Sequence, residues 1–96
     1  MYKIKWTELA YSDLDSIEAF IFEDNPSASI DVILKIIDSV ETLLTSFPAS
    51  SRAGRILGTR ELIINGLPYI IPYRIKDGYI EVLRVFHTSR AYPSSL

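Results

Sequence analysis

Residues 58–75 read GTRELIINGLPYIIPYRI, and the reading of this stretch decides the fold. RELII and YIIPYRI are rich in β-branched and aromatic residues, and Asn65–Gly66 between them is a strong hairpin signal. Two antiparallel strands about a turn are therefore expected, with an arginine near each end, Arg60 and Arg74. Pro72 is awkward inside the second strand. A proline cannot donate to the ladder, so a bulge or a locally unpaired position is expected there. Asp77–Gly78 is a second turn signal, and YIEVLRVF (Tyr79–Phe86), which carries Arg84, reads as the strand that closes the set. On the upstream side, RIL (Arg55–Leu57) reads as the start of a short strand before Gly58. PASSRAG (Pro48–Gly54) is a loop by composition.

The N-terminal half has a different period. YKIKW (Tyr2–Trp6) alternates like a strand and runs into Thr7, a good N-cap, with Glu8 in the first turn where the helix dipole favours an acid. Ala10, Leu14, Ile17 and Ile21 then mark one face of an amphipathic helix, with Asp13, Asp15 and Glu18 largely off that stripe. Pro26 ends this helix near Glu23–Asn25 and opens a second one at Pro26 or Ser27. The second stripe is Ile33, Ile36, Ile37, Val40, Leu44 and Phe47. Ile30 and Leu34 widen it on one side, Val32 and Leu43 on the other, to an apolar arc of about 200° where a one-sided helix needs roughly 100°. Such a helix touches two things: the first helix and the sheet, or these and a partner chain. Pro48 stops it.

The order β-α-α-β-β-β predicts an α+β two-layer sandwich, a helical hairpin packed on one face of a small, mainly antiparallel sheet. One domain over residues 1–96 is expected from the length. A hydrophobic fraction of 48% argues for a packed core. With no cysteine in the chain, disulfides, thiol catalysis and Cys-ligated zinc are excluded. No His/Asp/Glu spacing fits a metal site, and no cofactor motif occurs. No apolar run approaches the ~20 residues of a membrane span. Nor does the N-terminus hold an apolar stretch of signal-peptide length, so a cytoplasmic protein is expected.

Charge is divided unevenly. Residues 1–48 carry three lysines against nine acids, whereas residues 49–96 carry six arginines and one lysine against three acids. An acidic helical side and a basic sheet side are expected, although helices also carry solvated acids as a matter of course. Strand alternation places Arg60, Leu62 and Ile64 on one face, with Glu61 and Ile63 on the other. By the same rule Arg74 shares a face with Pro72 and Ile70, and Arg84 with Val82 and Ile80. A guanidinium buried without a partner is costly, so each is expected to be paired, as Arg74 with Glu81, or to lie on the sheet's open side.

The elements W6-T7-x-x-A10-x-x-D13-L14, Pro26, Pro48, Gly54–Arg55, GTREL (Gly58–Leu62), PYIIPYR (Pro68–Arg74), I80-x-V82-L83-R84-V85 and H87-x-x-R90-x-Y92-P93 together resemble the RelE/ParE toxin superfamily of bacterial toxin–antitoxin modules. The match covers nearly the whole chain; many relatives have Trp where this chain has Tyr92. The resemblance implies a β-α-α-β-β-β toxin silenced by a cognate antitoxin, with a higher-order complex of the two as one arrangement. RelE-like members cleave mRNA on the ribosome, and ParE-like members inhibit DNA gyrase without nuclease activity.

Metal-free RNA cleavage needs a base, an acid and cations to hold the phosphorane charge. The candidates are Arg60, Arg74, Arg84 and Arg90 for phosphate, with His87 and Tyr92 as proton carriers. A lone histidine at a strand end also reads as a hydrogen-bonded edge residue, and Tyr92 beside Pro93 as a packing residue. Charge weighs against a nuclease. The sequence pI is about 5.3, whereas nucleic-acid domains are commonly above ~9. The favoured expectation is a toxin acting on DNA gyrase; the alternatives are a ribosome-dependent mRNA endoribonuclease and an inactive interaction module. Ile30, Leu34, Ile37 and Leu44 are the expected antitoxin-binding residues on the second helix.

Overall fold

The computed structural model describes residues 2–46, 48, 49 and 51–89; Phe47, Arg90 and Tyr92 lie outside them. Strand β1 (Lys3–Trp6) leads into helix α1 (Glu8–Asp24). The Thr7 hydroxyl accepts the N–H of Ala10 at 3.1 Å, an N-cap that contributes about 1 kcal/mol. Asn25 serves both helices. Its backbone N–H bonds Ile21 O at 2.9 Å, ending α1. Its side-chain oxygen accepts the N–H of Ala28 at 3.2 Å, opening helix α2 (Pro26–Ser46). Pro26 sits in the first turn of α2, where its missing N–H costs nothing. No described helix is long and apolar enough to cross a membrane.

The sheet contains β2 (Arg52–Ala53), β3 (Arg60–Ile63), β4 (Tyr69–Lys76), β5 (Tyr79–Val82) and β6 (Phe86–His87), in the order β1-β5-β4-β3-β2 with β6 beside β4. β1 runs parallel to β5 and the other pairs are antiparallel. The β4–β5 turn has Asp77 at φ 51° and Gly78 at φ 78°, the left-handed pair that a two-residue hairpin requires. Between β3 and β4 the turn is longer, and only Gly66 takes positive φ there.

The helical hairpin covers one sheet face. Ala10 and Leu14 of α1 and Ile36, Val40 and Leu44 of α2 meet Leu62, Ile71, Tyr73, Ile80 and Val82 in a single core. The expected two-layer α+β sandwich is the observed one. Its other face is less open than alternation implies, because Glu61, Ile70 and Pro72 are buried there.

Three local expectations change. Arg55–Leu57 is not a strand: Thr59 returns its N–H (3.1 Å) and hydroxyl (2.6 Å) to Ile56 O, and Leu57 is fully exposed. The short strand precedes it, as Arg52–Ala53. Tyr79–Phe86 is two strands rather than one, interrupted at residues 83–85. Leu44 is completely buried, whereas Ile30 and Leu34 are 55% and 59% exposed. Leu44 therefore belongs to the core and is unavailable to a partner.

This division of α2 has a measurable consequence. Leu44→Ala removes a fully buried side chain and is expected to cost about 2–5 kcal/mol. Leu34→Ala is expected to stay within about 0.5 kcal/mol of wild type. Urea denaturation followed by circular dichroism compares the two, and equal losses would contradict the assignment of faces.

Candidate functional site

Pro72 organises the site through what it lacks. It offers a carbonyl to β5 and no N–H in return. The N–H groups of Leu83 and Arg84 both converge on that carbonyl, at 2.9 and 3.5 Å. Tyr73 pairs with Val82 and Ile70 with Phe86, so four steps on one strand oppose three on the other. That is a β-bulge, and it inverts the side-chain alternation beyond it. Val85 enters the core at 3% exposure. Arg84 thereby leaves the regular period-two register with Val82 and Ile80, although it still meets the helix layer that covers them.

Arg84 turns instead toward α1. Its Nε and Nη2 meet the two oxygens of Asp13 at 2.8 and 2.9 Å, and Val85 N–H donates to the same carboxylate at 2.9 Å. Thr7 seals the same seam: its N–H donates to Val82 O at 3.1 Å and its hydroxyl to Leu83 O at 2.9 Å. The pattern W6-T7-x-x-A10-x-x-D13-L14 is thereby explained as structure. Thr7 caps the helix and holds the bulge, Ala10 and Leu14 are buried, and Asp13 receives Arg84. The bond to Asp13 raises the Arg84 pKa further above its ordinary value, against the opposing effect of burial and with Asp13's charge adding to it. This guanidinium is permanently charged and engaged.

Beside the seam lies a recess of about 520 Å³ whose walls include Asp13, Phe20, Tyr69, Arg84, Phe86 and His87. Arg84 stacks over Phe86 at 4.7 Å. His87 Nδ1 accepts the Ser89 N–H at 3.1 Å and lies 2.7 Å from the Ser89 hydroxyl, so the neutral ring carries its proton on Nε2. Tyr69 packs edge-on to His87 at 5.5 Å, and burial pushes its phenol pKa up.

The structure thus brings two of the candidate residues, Arg84 and His87, to one recess. Arg60 and Arg74 stand apart on opposite sheet faces. Arg60 shares the helix-facing side with Tyr73. It donates to Ala49 O (3.2 Å) and Ser51 O (2.9 Å), while the Tyr73 hydroxyl donates to Pro48 O at 2.6 Å. Both tie the loop after α2 to the sheet. Arg74 pairs with Glu81 on the outer face, as its cross-strand position leads one to expect. Glu61, only 1% exposed, accepts both Nε (3.2 Å) and Nη2 (2.9 Å) of Arg52 and the Arg55 N–H at 3.0 Å. Every described arginine therefore has an acidic or carbonyl partner. Arg90 and Tyr92 fall outside the described residues. Asp13 was not singled out by sequence reasoning as an arginine partner; the motif that holds it in step with Leu14 was the available signal.

A helical hairpin on a sheet with this connectivity defines a small toxin fold, and comparison with known proteins agrees. A solved structure described as the chromosomal ParDE toxin–antitoxin system from P. aeruginosa superposes with a TM-score of 0.84 at 26% identity, covering 93% of this chain and 98% of that one. The solution structure of HP0894 from Helicobacter pylori shares the fold, with a TM-score of 0.58 at 24% identity over 93% and 97% of the two chains. Among curated proteins, the putative toxin Y4kP of Sinorhizobium fredii is 44% identical over 98% of this chain and 96% of its own length. Toxin RelE2 of Caulobacter vibrioides is 29% identical over 94% and 99%. The family model for the ParE toxin of type II toxin–antitoxin systems, parDE, matches residues 4–92. The chain belongs to this ParE toxin family, and the family implies a cognate antitoxin as its partner.

The Asp13–Arg84 pair, at 16% and 23% side-chain exposure, lies between the surface and buried limits. Arg84→Ala is expected to cost about 1–3 kcal/mol of stability. Asp13→Ala is expected to behave similarly, and the double variant to cost less than the two single losses together. Arg74→Ala, with the guanidinium half in solvent, is expected to cost under about 1 kcal/mol. Thermal denaturation of the set reads this directly; strict additivity of Asp13→Ala and Arg84→Ala would refute the seam.

Proposed function

We propose that this type II toxin arrests growth by binding DNA gyrase rather than by cutting RNA. The observation that carries the reading is the engagement of the arginines among the described residues. A metal-free ribonuclease needs a cation free to take up the charge of the phosphorane beside a proton carrier. Arg84, which shares the recess with His87, directs Nε and Nη2 to Asp13. Arg60 and Arg74 are held elsewhere by carbonyls and by Glu81. The match to the ParE family supports the same reading. So does the net charge of −2, which disfavours the counterion-driven affinity of a ribosome-bound nuclease.

The antitoxin is placed on the open flank of α2. Ile30 and Leu34 are exposed there, with Ile37 partly buried behind them. The exposure of Ile30 and Leu34 supports the antitoxin-binding role expected of this part of the helix, and the burial of Leu44 argues against a share in it.

Purified toxin is expected to block supercoiling by gyrase at stoichiometric doses, and primer extension on induced cells to show no codon-linked mRNA cuts. Cuts that vanish with His87→Ala would replace this reading with the endoribonuclease one. Normal growth with soluble full-length protein would favour an inactive interaction module. In the complex, hydrogen exchange is expected to slow across Ile30–Ile37 when antitoxin is added, and Leu34→Asp to weaken the pair at least about tenfold by placing a charge in an apolar contact. Unchanged protection in that segment would move the antitoxin elsewhere.

A further inference from the structure

The outer sheet face carries a cationic patch that neither the core nor the arginine pairs account for. Register places Lys3, Tyr79 and Lys76 in one cross-strand row, and Lys5, Glu81 and Arg74 in the next. Partners directly opposite share a face, and Ile4, Ile80 and Val82 point the other way into or against the core. These two rows therefore look away from the helices. Lys3, Lys5 and Lys76 are exposed, and Tyr79 is 44% exposed. Glu81 is already neutralised by Arg74. The ion pairs among the described residues all use arginine, so the three lysines enter none of them. The nearest other acid in sequence is Asp77, at the tip of the β4–β5 turn.

The result is three uncompensated positive charges, Lys3 and Lys5 in one column and Lys76 in another above the Arg74–Glu81 pair, with Tyr79 heading the column between them. Within a column the cations are two residues apart on a strand, roughly 6.7 Å. That is also the separation of alternate side chains in an extended peptide. Lysines on an edge strand also guard against edge-to-edge aggregation, but Lys76 lies on β4, an interior strand, where that purpose does not apply. Nine acids crowd the first half of the chain, and both helices lie on the opposite layer. A patch of four cations, one of them paired with Glu81, offers few phosphate contacts to a nucleic acid but is long enough for a short acidic peptide.

We infer that the Lys3/Lys5/Tyr79/Lys76/Arg74 face of the sheet docks an extended acidic segment of a partner protein, with carboxylates at alternate positions and a side chain over the Tyr79 ring. This deepens the reading of the chain as a toxin that works by docking, and it assigns a surface distinct from the α2 flank given to the antitoxin.

Fluorescence anisotropy tests it on the full-length toxin with a dye-labelled peptide of alternating glutamate and serine. Wild type is expected to bind, more weakly as salt rises. The double variant Lys3→Glu, Lys5→Glu is expected to weaken binding at least about tenfold, since it sets like charges against the ligand. Lys76→Gln and Tyr79→Ala are expected to weaken it by smaller factors, and Lys35→Glu on α2 to leave it unchanged. Circular dichroism confirms folding, and Lys3→Gln replaces the double variant if that one unfolds. The inference is overturned if wild type does not bind the peptide, if the sheet variants bind as wild type does, or if a thymidine oligonucleotide binds this face more tightly than the peptide. Peptide binding that survives a failed supercoiling assay supports this surface and removes only gyrase as the target. Supercoiling inhibition without peptide binding does the reverse.

Discussion

A missing N–H governs this molecule. Because Pro72 cannot donate, the strand facing it cannot keep a regular ladder, and the Leu83 and Arg84 amides crowd onto one carbonyl. The extra residue shifts side-chain parity, so Val85 enters the core and Arg84 sits at its margin, where it reaches Asp13 on α1. Were the parity regular, Arg84 would stand beside Ile80 and Val82, both fully buried. An uncompensated guanidinium there would cost several kcal/mol. The bulge avoids that cost and converts the same residue into a cross-link between the two layers. Asp13, nearly two turns beyond the Thr7 cap, is the acceptor, and its spare lone pair takes the Val85 amide.

The same constraint explains why the start of α1 is so closely tied to the end of β5. Thr7 uses one hydroxyl twice, accepting from Ala10 and donating to Leu83 O, as a hydroxyl with one proton and two lone pairs can. Helix cap, bulge and ion pair are thus one connected network. Residues that look like separate motif letters in the sequence depend on one another through it. The chemistry follows from the geometry: an arginine fixed in this network is a poor candidate for a phosphate clamp, however well its side-chain type suits that role.

Much of this was legible in the chain itself. The element order, the Thr7 cap, the helix break at Pro26, the Asp77–Gly78 hairpin and the Arg74–Glu81 pair all follow from local rules, and local rules suffice where neighbours in sequence are neighbours in space. Pro72 announced the bulge as well. What alternation could not supply was the parity after it, because a period-two count assumes an unbroken ladder. Arg84 was misplaced on that account. Arg55–Leu57 was read as a strand from its apolar content, yet Thr59 and Gly58 bend it into a turn. Leu44, from the central stripe, was grouped with Ile30 and Leu34, which widen it, because all three belong to one apolar arc. Burial distinguishes them: the arc is wider than the core can cover, and only tertiary packing decides which side is left out. The burial of Glu61 on the nominally open face is likewise a product of the loop that folds over it, which no periodicity encodes.

The two layers also divide the charge, and the division bears on how such a protein can act. The helices hold nine acids, all in α1 and α2, with Lys35 as their one basic residue. The outer sheet face holds Lys3, Lys5, Arg74 and Lys76, with Glu81 already paired. At the ~8 Å Debye length of physiological salt, two layers about 10 Å apart are largely screened from each other. Each face then presents its own sign to an approaching partner, so the small net charge conceals two opposite surfaces. A compact acidic segment meets only the basic one. Opposite signs on the two layers thus give the chain two chemically distinct surfaces for partners.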